Sequence, residues 1–214
     1  MGGVGRLLTN PRTLAALWAT VVEAIIHTSF ESTLPLIVST TFGWSSIGAG
    51  VIFLPIALPN FLGPVIGAIG DRYGPKWLTS CGFLVLTPLL LCFQFVTENT
   101  IEHQVLLYSL LTGVGFCMAC IMGPLMAEIT WSIQGDVSDS AVVPYAMAYG
   151  LYNAAFSIGG IIGPIIGGLV RDRVGMWAVG VIFGTTTACT SIACALFMGG
   201  PLRKRGMAPS PTLE

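Results

Sequence analysis

Long apolar runs, each bounded by charged or turn-forming residues, dominate this 214-residue sequence. A transmembrane helix needs about 20 apolar residues, and six runs are long enough, at about 14–38, 46–70, 77–97, 104–129, 143–170 and 177–199. Charged residues make up only 9% of the chain, too few to cover a water-soluble globule, for which about 25% is usual. We therefore predict an all-α integral membrane protein with six transmembrane helices, in which residues 1–13 and 200–214 form two tails.

The basic residues outside these runs predict how the chain crosses the bilayer. Six spans place both termini, together with the second and fourth connections, on the same side of the membrane. The other side would hold two basic residues, Arg171 and Arg173. Because basic residues concentrate on the cytoplasmic side, we expect both termini there, with the basic residues Arg6, Arg12, Arg72, Lys76, Arg203, Lys204 and Arg205.

Little in the sequence points to enzyme, nucleic-acid or metal chemistry. A net charge of -1 lacks the basic excess that nucleic-acid binding requires, and the common nucleotide-binding and hydrolase motifs are missing from the sequence. The six cysteines lie in apolar runs as small hydrophobes, although the spacing of Cys117 and Cys120 leaves a minor metal or redox alternative. We expect a chain that is not an enzyme, with no cofactor, no metal ion and no nucleic-acid partner.

One motif occurs twice, about 100 residues apart. The string Gly63–Gly74 (GPVIGAIGDRYG) recurs as Gly163–Gly175 (GPIIGGLVRDRVG), with one inserted residue. Three spans separate the two copies, so the helices that carry them cross the membrane in opposite directions. This is the pattern of a 3+3 inverted repeat, in which two triplets of helices are related by a pseudo-two-fold axis in the membrane plane.

The first span carries Glu23, His27 and Glu31. We take the two glutamates to be the only acids deep inside any span, and the His27 imidazole lies between them in the sequence. Their spacing of four residues stacks them on one helical face. A charge at mid-membrane costs about 2.5–3.5 kcal/mol, so such groups usually face a cavity or a partner. We predict that they exchange a proton; the alternative is that Glu23 and His27 only form packing hydrogen bonds.

The second span ends in a polar turn built from Gly67, Asp71, Arg72 and Gly74. Gly67 permits close helix packing, and Gly74 can end the helix with a positive φ. Asp71 is unfavourable at a helix C-terminus unless it has a basic or hydrogen-bonding partner. The functional interpretation is a polar conformational latch that breaks and re-forms, and the alternative is a simple tight turn.

The fifth span contains a series of glycines with one proline. Small residues at every fourth position allow another helix to approach closely, and a proline removes one backbone hydrogen bond. We therefore predict a helix-packing motif formed by Gly150, Gly159, Gly163, Pro164, Gly167 and Gly168.

An aromatic stripe precedes these glycines. Tyr149, Tyr152 and Phe156 recur at helical spacing beside Asn153. Such a face can hold a flat or cationic organic molecule, so we predict substrate binding by these four residues. A role in packing or at the membrane interface is the alternative.

These motifs resemble those of the major facilitator superfamily. The Gly67–Gly74 string is similar to the signature that follows the second and eighth helices of that superfamily, and the Gly150–Gly168 string is similar to its antiporter motif. Glu31–Pro35, followed by Leu54–Pro55, resembles the start of the C-terminal half of drug:proton antiporters and vesicular amine transporters, particularly fungal ones. The chain thus looks like helices 7 to 12 of a twelve-helix carrier.

The resemblance implies proton-driven export of a small organic compound by alternating access, in the plasma membrane or a vacuolar or vesicular membrane. It also implies a second six-helix half, either an N-terminal half or another copy of the chain. Ala119 and Asn153 stand where the vesicular amine transporters carry acids, so we do not expect amine transport by their exact scheme. The alternative is a non-transporting truncated or regulatory membrane protein that associates with another transporter half.

Overall fold

The computed structural model describes residues 10–134 and 142–199, and all regular structure within those ranges is helical. Six stretches are long and apolar enough to cross a membrane: Pro11–Thr41, Ser46–Tyr73, Pro75–Phe95, Ile101–Ile133, Tyr145–Val174 and Met176–Phe197. They are called the first to sixth spans below. The structure therefore has the all-α, six-span architecture that the sequence predicts, with span ends that differ from the predicted ones by a few residues.

Eight α-helices make up these spans. Five spans contain one α-helix each, and the second is divided into three. The helices are α1 (Pro11–Thr41), α2 (Ser46–Val51), α3 (Leu54–Ala57), α4 (Gly63–Tyr73), α5 (Pro75–Cys92), α6 (Ile101–Gln134), α7 (Val142–Val174) and α8 (Met176–Phe197), with 3₁₀ turns at Leu58–Leu62 and Phe93–Phe95.

Prolines explain why the second span is segmented. Pro55, Pro59 and Pro64 each lie at the first or second position of a new helical segment, because a proline has no backbone N–H to continue the preceding helix. The broken span leans on α6 at Gly115, where any side chain would collide with the Ile56 backbone. The second span therefore reaches α6 at very short range and presents irregular backbone beside it.

The spans pair in a symmetric pattern. In the inverted repeat, the first, second and third spans correspond to the fourth, fifth and sixth. The first span packs on the fifth, and correspondingly the fourth packs on the second. The third span packs on the fourth, and correspondingly the sixth packs on the first. The first also contacts the fourth, and the third contacts the sixth. Exchanging the two triplets leaves this list of neighbours unchanged, as an inverted repeat requires. The two copies of the repeated motif also end alike, at Gly74 with φ 90° and Gly175 with φ 103°.

Glycines set the distance between α1 and α7. A Cβ at Gly163 would lie 2.6 Å from the Ile25 carbonyl oxygen, and Cβ atoms at Gly159 and Gly167 would lie 2.5 Å and 2.9 Å from atoms of α1. The Ser29 hydroxyl donates a hydrogen bond of 2.6 Å to the Gly163 carbonyl. Other glycines of the predicted packing motif behave differently: a Cβ at Gly150 or Gly168 would have no neighbour within 4 Å. Pro164 lies inside α7, which continues through it.

The interior of the bundle is built mainly around the first and fourth spans. Within an apolar stretch of each span, 61% of the first span and 56% of the fourth span is buried. The corresponding buried share is only 22% in both the second and the fifth span. The second and fifth spans are equivalent in the inverted repeat. They are the two least covered spans of the described bundle, and the cavities described next lie beside them.

Candidate functional site

The stripe of ionisable residues on α1 runs from the bundle interior to an open surface. Glu23 is 1% exposed, and its Oε2 has no hydrogen-bond partner among the described residues. One turn later, His27 Nδ1 lies 3.9 Å from Glu31 Oε1. The Glu31 side chain is 57% exposed. The three groups thus form a series in which solvent access increases from Glu23 to Glu31.

His27 and Glu31 open into a cavity of about 240 Å³, which we call the acid cavity. Its walls come from α1, from the broken second span and from α6. Because it holds an imidazole and a carboxylate, it can exchange protons with water. The lining residues are His27, Phe30, Glu31, Phe53, Ile56, Ala57, Asn60, Val114 and Met118.

A second cavity of about 520 Å³, which we call the amide cavity, lies between the second span, α6 and α7. Two carboxamides and two phenol rings line it, together with methionines and small residues. Asn60 belongs to the walls of both cavities. The lining residues are Asn60, Gly63, Ile66, Gly67, Ala119, Met122, Gly123, Pro124, Met126, Tyr149, Tyr152 and Asn153.

The structure brings three of the four predicted substrate-binding residues to the amide cavity: Tyr149, Tyr152 and Asn153. Phe156 is not among the residues that line either cavity. It stacks on Tyr152 with ring centroids 6.2 Å apart and lies 6.3 Å from the His27 ring. Phe156 therefore connects the aromatic wall of one cavity with the imidazole of the other. The Tyr152 hydroxyl is buried and has no partner among the described residues.

The predicted latch residues lie at the end of α4. Gly67 lines the amide cavity, and Gly74 ends the helix with a positive φ and a 2.8 Å hydrogen bond from its N–H to the Gly70 carbonyl. Asp71 and Arg72 are exposed, and within residues 10–134 and 142–199 neither forms an ion pair. The tight turn is thus present, and the role of Asp71 and Arg72 in a latch stays a prediction.

The structure also contains a buried acid that the sequence analysis did not single out, near the end of the fourth span rather than deep inside it. Glu128, on α6, is 0% exposed. Its Oε1 accepts a 2.6 Å hydrogen bond from Arg12 Nε and a 2.8 Å bond from the Gly199 N–H. Its position at the end of an otherwise apolar run was a usable signal, but its partners are distant in sequence. These contacts join the ends of α1, α6 and α8.

The sequence from residue 2 to residue 142 matches the profile of the Major Facilitator Superfamily. The chain belongs to the major facilitator superfamily. This result confirms the predicted resemblance, and the six-span bundle described above is half of a major facilitator fold.

Several relatives within the superfamily align with most of the chain. The MFS-type transporter ppzB of Metarhizium rileyi is 28% identical over 89% of the chain and 41% of its own length. The MFS-type transporter SLC18B1 of Rattus norvegicus is 24% identical over 90% of the chain and 43% of its own length. The chromaffin granule amine transporter of the same species is 25% identical over 94% and 37%. The chain spans about two fifths of the length of these relatives.

Proposed function

We propose that this chain is one half of a proton-coupled carrier that exports a small organic compound by alternating access. The observation that carries the proposal is the α1 stripe: His27 and Glu31 open into the acid cavity, and Glu23 lies on the same face, buried and without a partner among the described residues. Carboxylates in an apolar interior are costly and commonly serve proton or ion pathways. In this proposal Glu31 loads the proton, and His27 and Glu23 take part in its transfer.

The substrate binds in the amide cavity, next to the proton-exchanging residues. Asn153 supplies hydrogen bonds, and Tyr149 and Tyr152 supply aromatic surface. Phe156 stacks on Tyr152 and so holds that ring in place. It does not touch the substrate itself. The volume of about 520 Å³ lies within the usual range for small-molecule sites, about 300–1,000 Å³.

Transport requires a second six-helix half, which we propose packs against the uncovered second and fifth spans. Only 22% of the apolar stretch of each of these spans is buried, and both spans border the amide cavity, so a partner there would close it. The partner is an N-terminal half or another copy of this chain. Asp71 and Arg72 at the end of α4 would then form the latch with the partner in one state and release it in the other, with both termini in the cytoplasm.

A second candidate is a non-transporting membrane protein that binds another transporter half. The observation that favours it is the uncovered surface of the second and fifth spans beside the amide cavity, because the described bundle by itself leaves this cavity open. Native mass measurement and co-purification distinguish the two candidates. If the chain is a carrier, we expect a dimer or a complex that shows proton-coupled flux. If it is a regulatory half, we expect a complex in which this chain adds no flux of its own.

The test of proton coupling uses proteoliposomes that contain the chain, alone or with its co-purified partner, and an entrapped pH-sensitive dye. Adding N-methylbenzamide or benzyltrimethylammonium to the outside should produce solute-dependent proton movement. Glu31→Gln should abolish that movement because the amide cannot carry the proton. Glu102→Gln, an exposed position at the start of α6, is the matched control and should retain it. Unchanged proton movement in Glu31→Gln would refute the proposal.

A further inference from the structure

The two adjoining cavities differ in charge. The acid cavity contains the imidazole of His27 and the carboxylate of Glu31. Every residue that lines the amide cavity within the described chain is uncharged, and its polar groups are the amides of Asn60 and Asn153 and the phenols of Tyr149 and Tyr152. The side chains that line the cavity on one side of Asn60 therefore include an imidazole and a carboxylate, whereas those that line the cavity on the other side carry no charge.

This division limits what the amide cavity can hold. An ion that enters it loses hydration and finds no opposite charge on the described walls, which is unfavourable. A carboxamide offers both a donor and an acceptor, so a neutral polar group on the ligand can be satisfied. Tyrosine rings and the thioethers of Met122 and Met126 provide polarisable surface that suits a flat ring. A neutral aromatic compound with a polar substituent meets all of these conditions.

Asn60 connects the two cavities. It belongs to the 3₁₀ turn of the broken second span, and its Nδ2 donates a hydrogen bond of 3.3 Å to the Ile56 carbonyl, which orients the amide. Asn153 lies on α7, across the amide cavity. A ligand that bonds to both amides would bridge the two inverted-repeat-related spans and would touch the residue that also borders the acid cavity.

We propose that the amide cavity binds an uncharged aromatic compound with a hydrogen-bonding substituent, held between Asn60 and Asn153, while proton exchange takes place separately in the acid cavity. The inference rests on the proposed function for placing the substrate in this cavity, and it adds the chemical class of that substrate. It distinguishes a neutral substrate from an amine cation or a carboxylate.

The test is equilibrium binding to the purified chain in lipid nanodiscs, without a pH gradient. Three probes of similar size are compared: N-methylbenzamide, benzyltrimethylammonium and benzoate. The wild-type chain should bind the neutral probe about tenfold more tightly than either ion, because one net hydrogen bond or a desolvated charge is worth roughly that ratio. Asn153→Leu should weaken binding of the neutral probe about tenfold.

Asn153→Asp gives the sharper result. The two side chains have the same shape, and Asn153 is exposed, so the change adds a carboxylate to the cavity without disturbing the packing. The order of affinities should reverse, with benzyltrimethylammonium now bound most tightly. Gln104→Glu, near the start of α6 and outside both cavities, adds the same charge elsewhere and should leave the order unchanged.

Three outcomes overturn the inference: an ion bound more tightly than the neutral probe by the wild type, no binding of the neutral probe, or an unchanged order in Asn153→Asp. The result is independent of proton coupling, since no gradient is present. If Glu31→Gln abolishes flux but the order of affinities is wrong, only the substrate class fails. If flux is unaffected but the order is as expected, only proton coupling fails.

Discussion

The cluster around Glu128 predicts an unequal cost for removing its two charged members. Glu128 is fully buried and bonds to Arg12 Nε at 2.6 Å and to the Gly199 N–H at 2.8 Å. The Arg12 side chain, by contrast, is 24% exposed. Removing either partner breaks the same ion pair, but the group left behind differs: a partly hydrated guanidinium in one case and a fully buried carboxylate in the other.

Breaking a buried ion pair by removing one partner typically destabilises a protein by about 3–5 kcal/mol, because an uncompensated charge remains. Glu128→Ala should fall near the lower end, about 3 kcal/mol, since Arg12 can hydrate. Arg12→Ala should fall near the upper end, about 5 kcal/mol, since the Glu128 carboxylate cannot. At roughly 2–4 °C per kcal/mol for a chain of this size, the expected losses of melting temperature are roughly 6–12 °C and 10–20 °C.

The assay is thermal unfolding in detergent, followed by the far-ultraviolet circular dichroism of the helices. The double variant Arg12→Ala with Glu128→Ala removes both charges, so it should be less destabilised than the sum of the two single variants by about 1–3 kcal/mol. A neutral pair between the same helices provides the control. Thr13 donates to Ser132 at 3.1 Å, and Ser132→Ala should cost only about 1 kcal/mol.

Two results would refute this reasoning. If the effects of the Arg12 and Glu128 substitutions simply add, the two side chains are not energetically coupled. If Glu128→Ala costs no more than Ser132→Ala, the contact that joins α1, α6 and α8 contributes no more than an ordinary neutral hydrogen bond. Either outcome would mean that this ion pair does not hold the ends of α1, α6 and α8 together.

Three glycines permit further predictions, all read by the same unfolding assay. Gly163→Ala should destabilise the bundle by about 1–3 kcal/mol, because its Cβ would lie 2.6 Å from the Ile25 carbonyl oxygen. Gly168→Ala is the control and should be neutral or slightly stabilising, because its Cβ would meet nothing within 4 Å. Equal losses of stability for the two variants would contradict the packing argument. Gly74→Ala should cost roughly 1–3 kcal/mol because φ is 90° there, and an unchanged melting temperature would show that the turn relaxes without strain.

Several features of the site were predictable because they depend on local spacing. The residues Glu23, His27 and Glu31 share a face on any helix, so their alignment along α1 followed from the sequence. The positive φ at Gly74 followed from its place between an apolar helix and Pro75. Phe156 shows the limit of such reasoning: it belongs to the same aromatic stripe as Tyr152, but its ring contacts Tyr152 and His27 and lines neither cavity.

The sequence by itself determined the number of spans, the helical class and the inverted repeat. The physical reason is that lipid leaves no partner for unpaired backbone groups, so an apolar run of this length must be helical, and hydropathy then counts the spans. Only the tertiary structure decided that Glu128 meets Arg12, that three glycines of the predicted packing motif rather than all of them meet α1, and that Asn60 borders two cavities. These contacts join residues far apart in the chain, and they depend on how each helix is rotated and tilted against its neighbours, which local spacing does not specify.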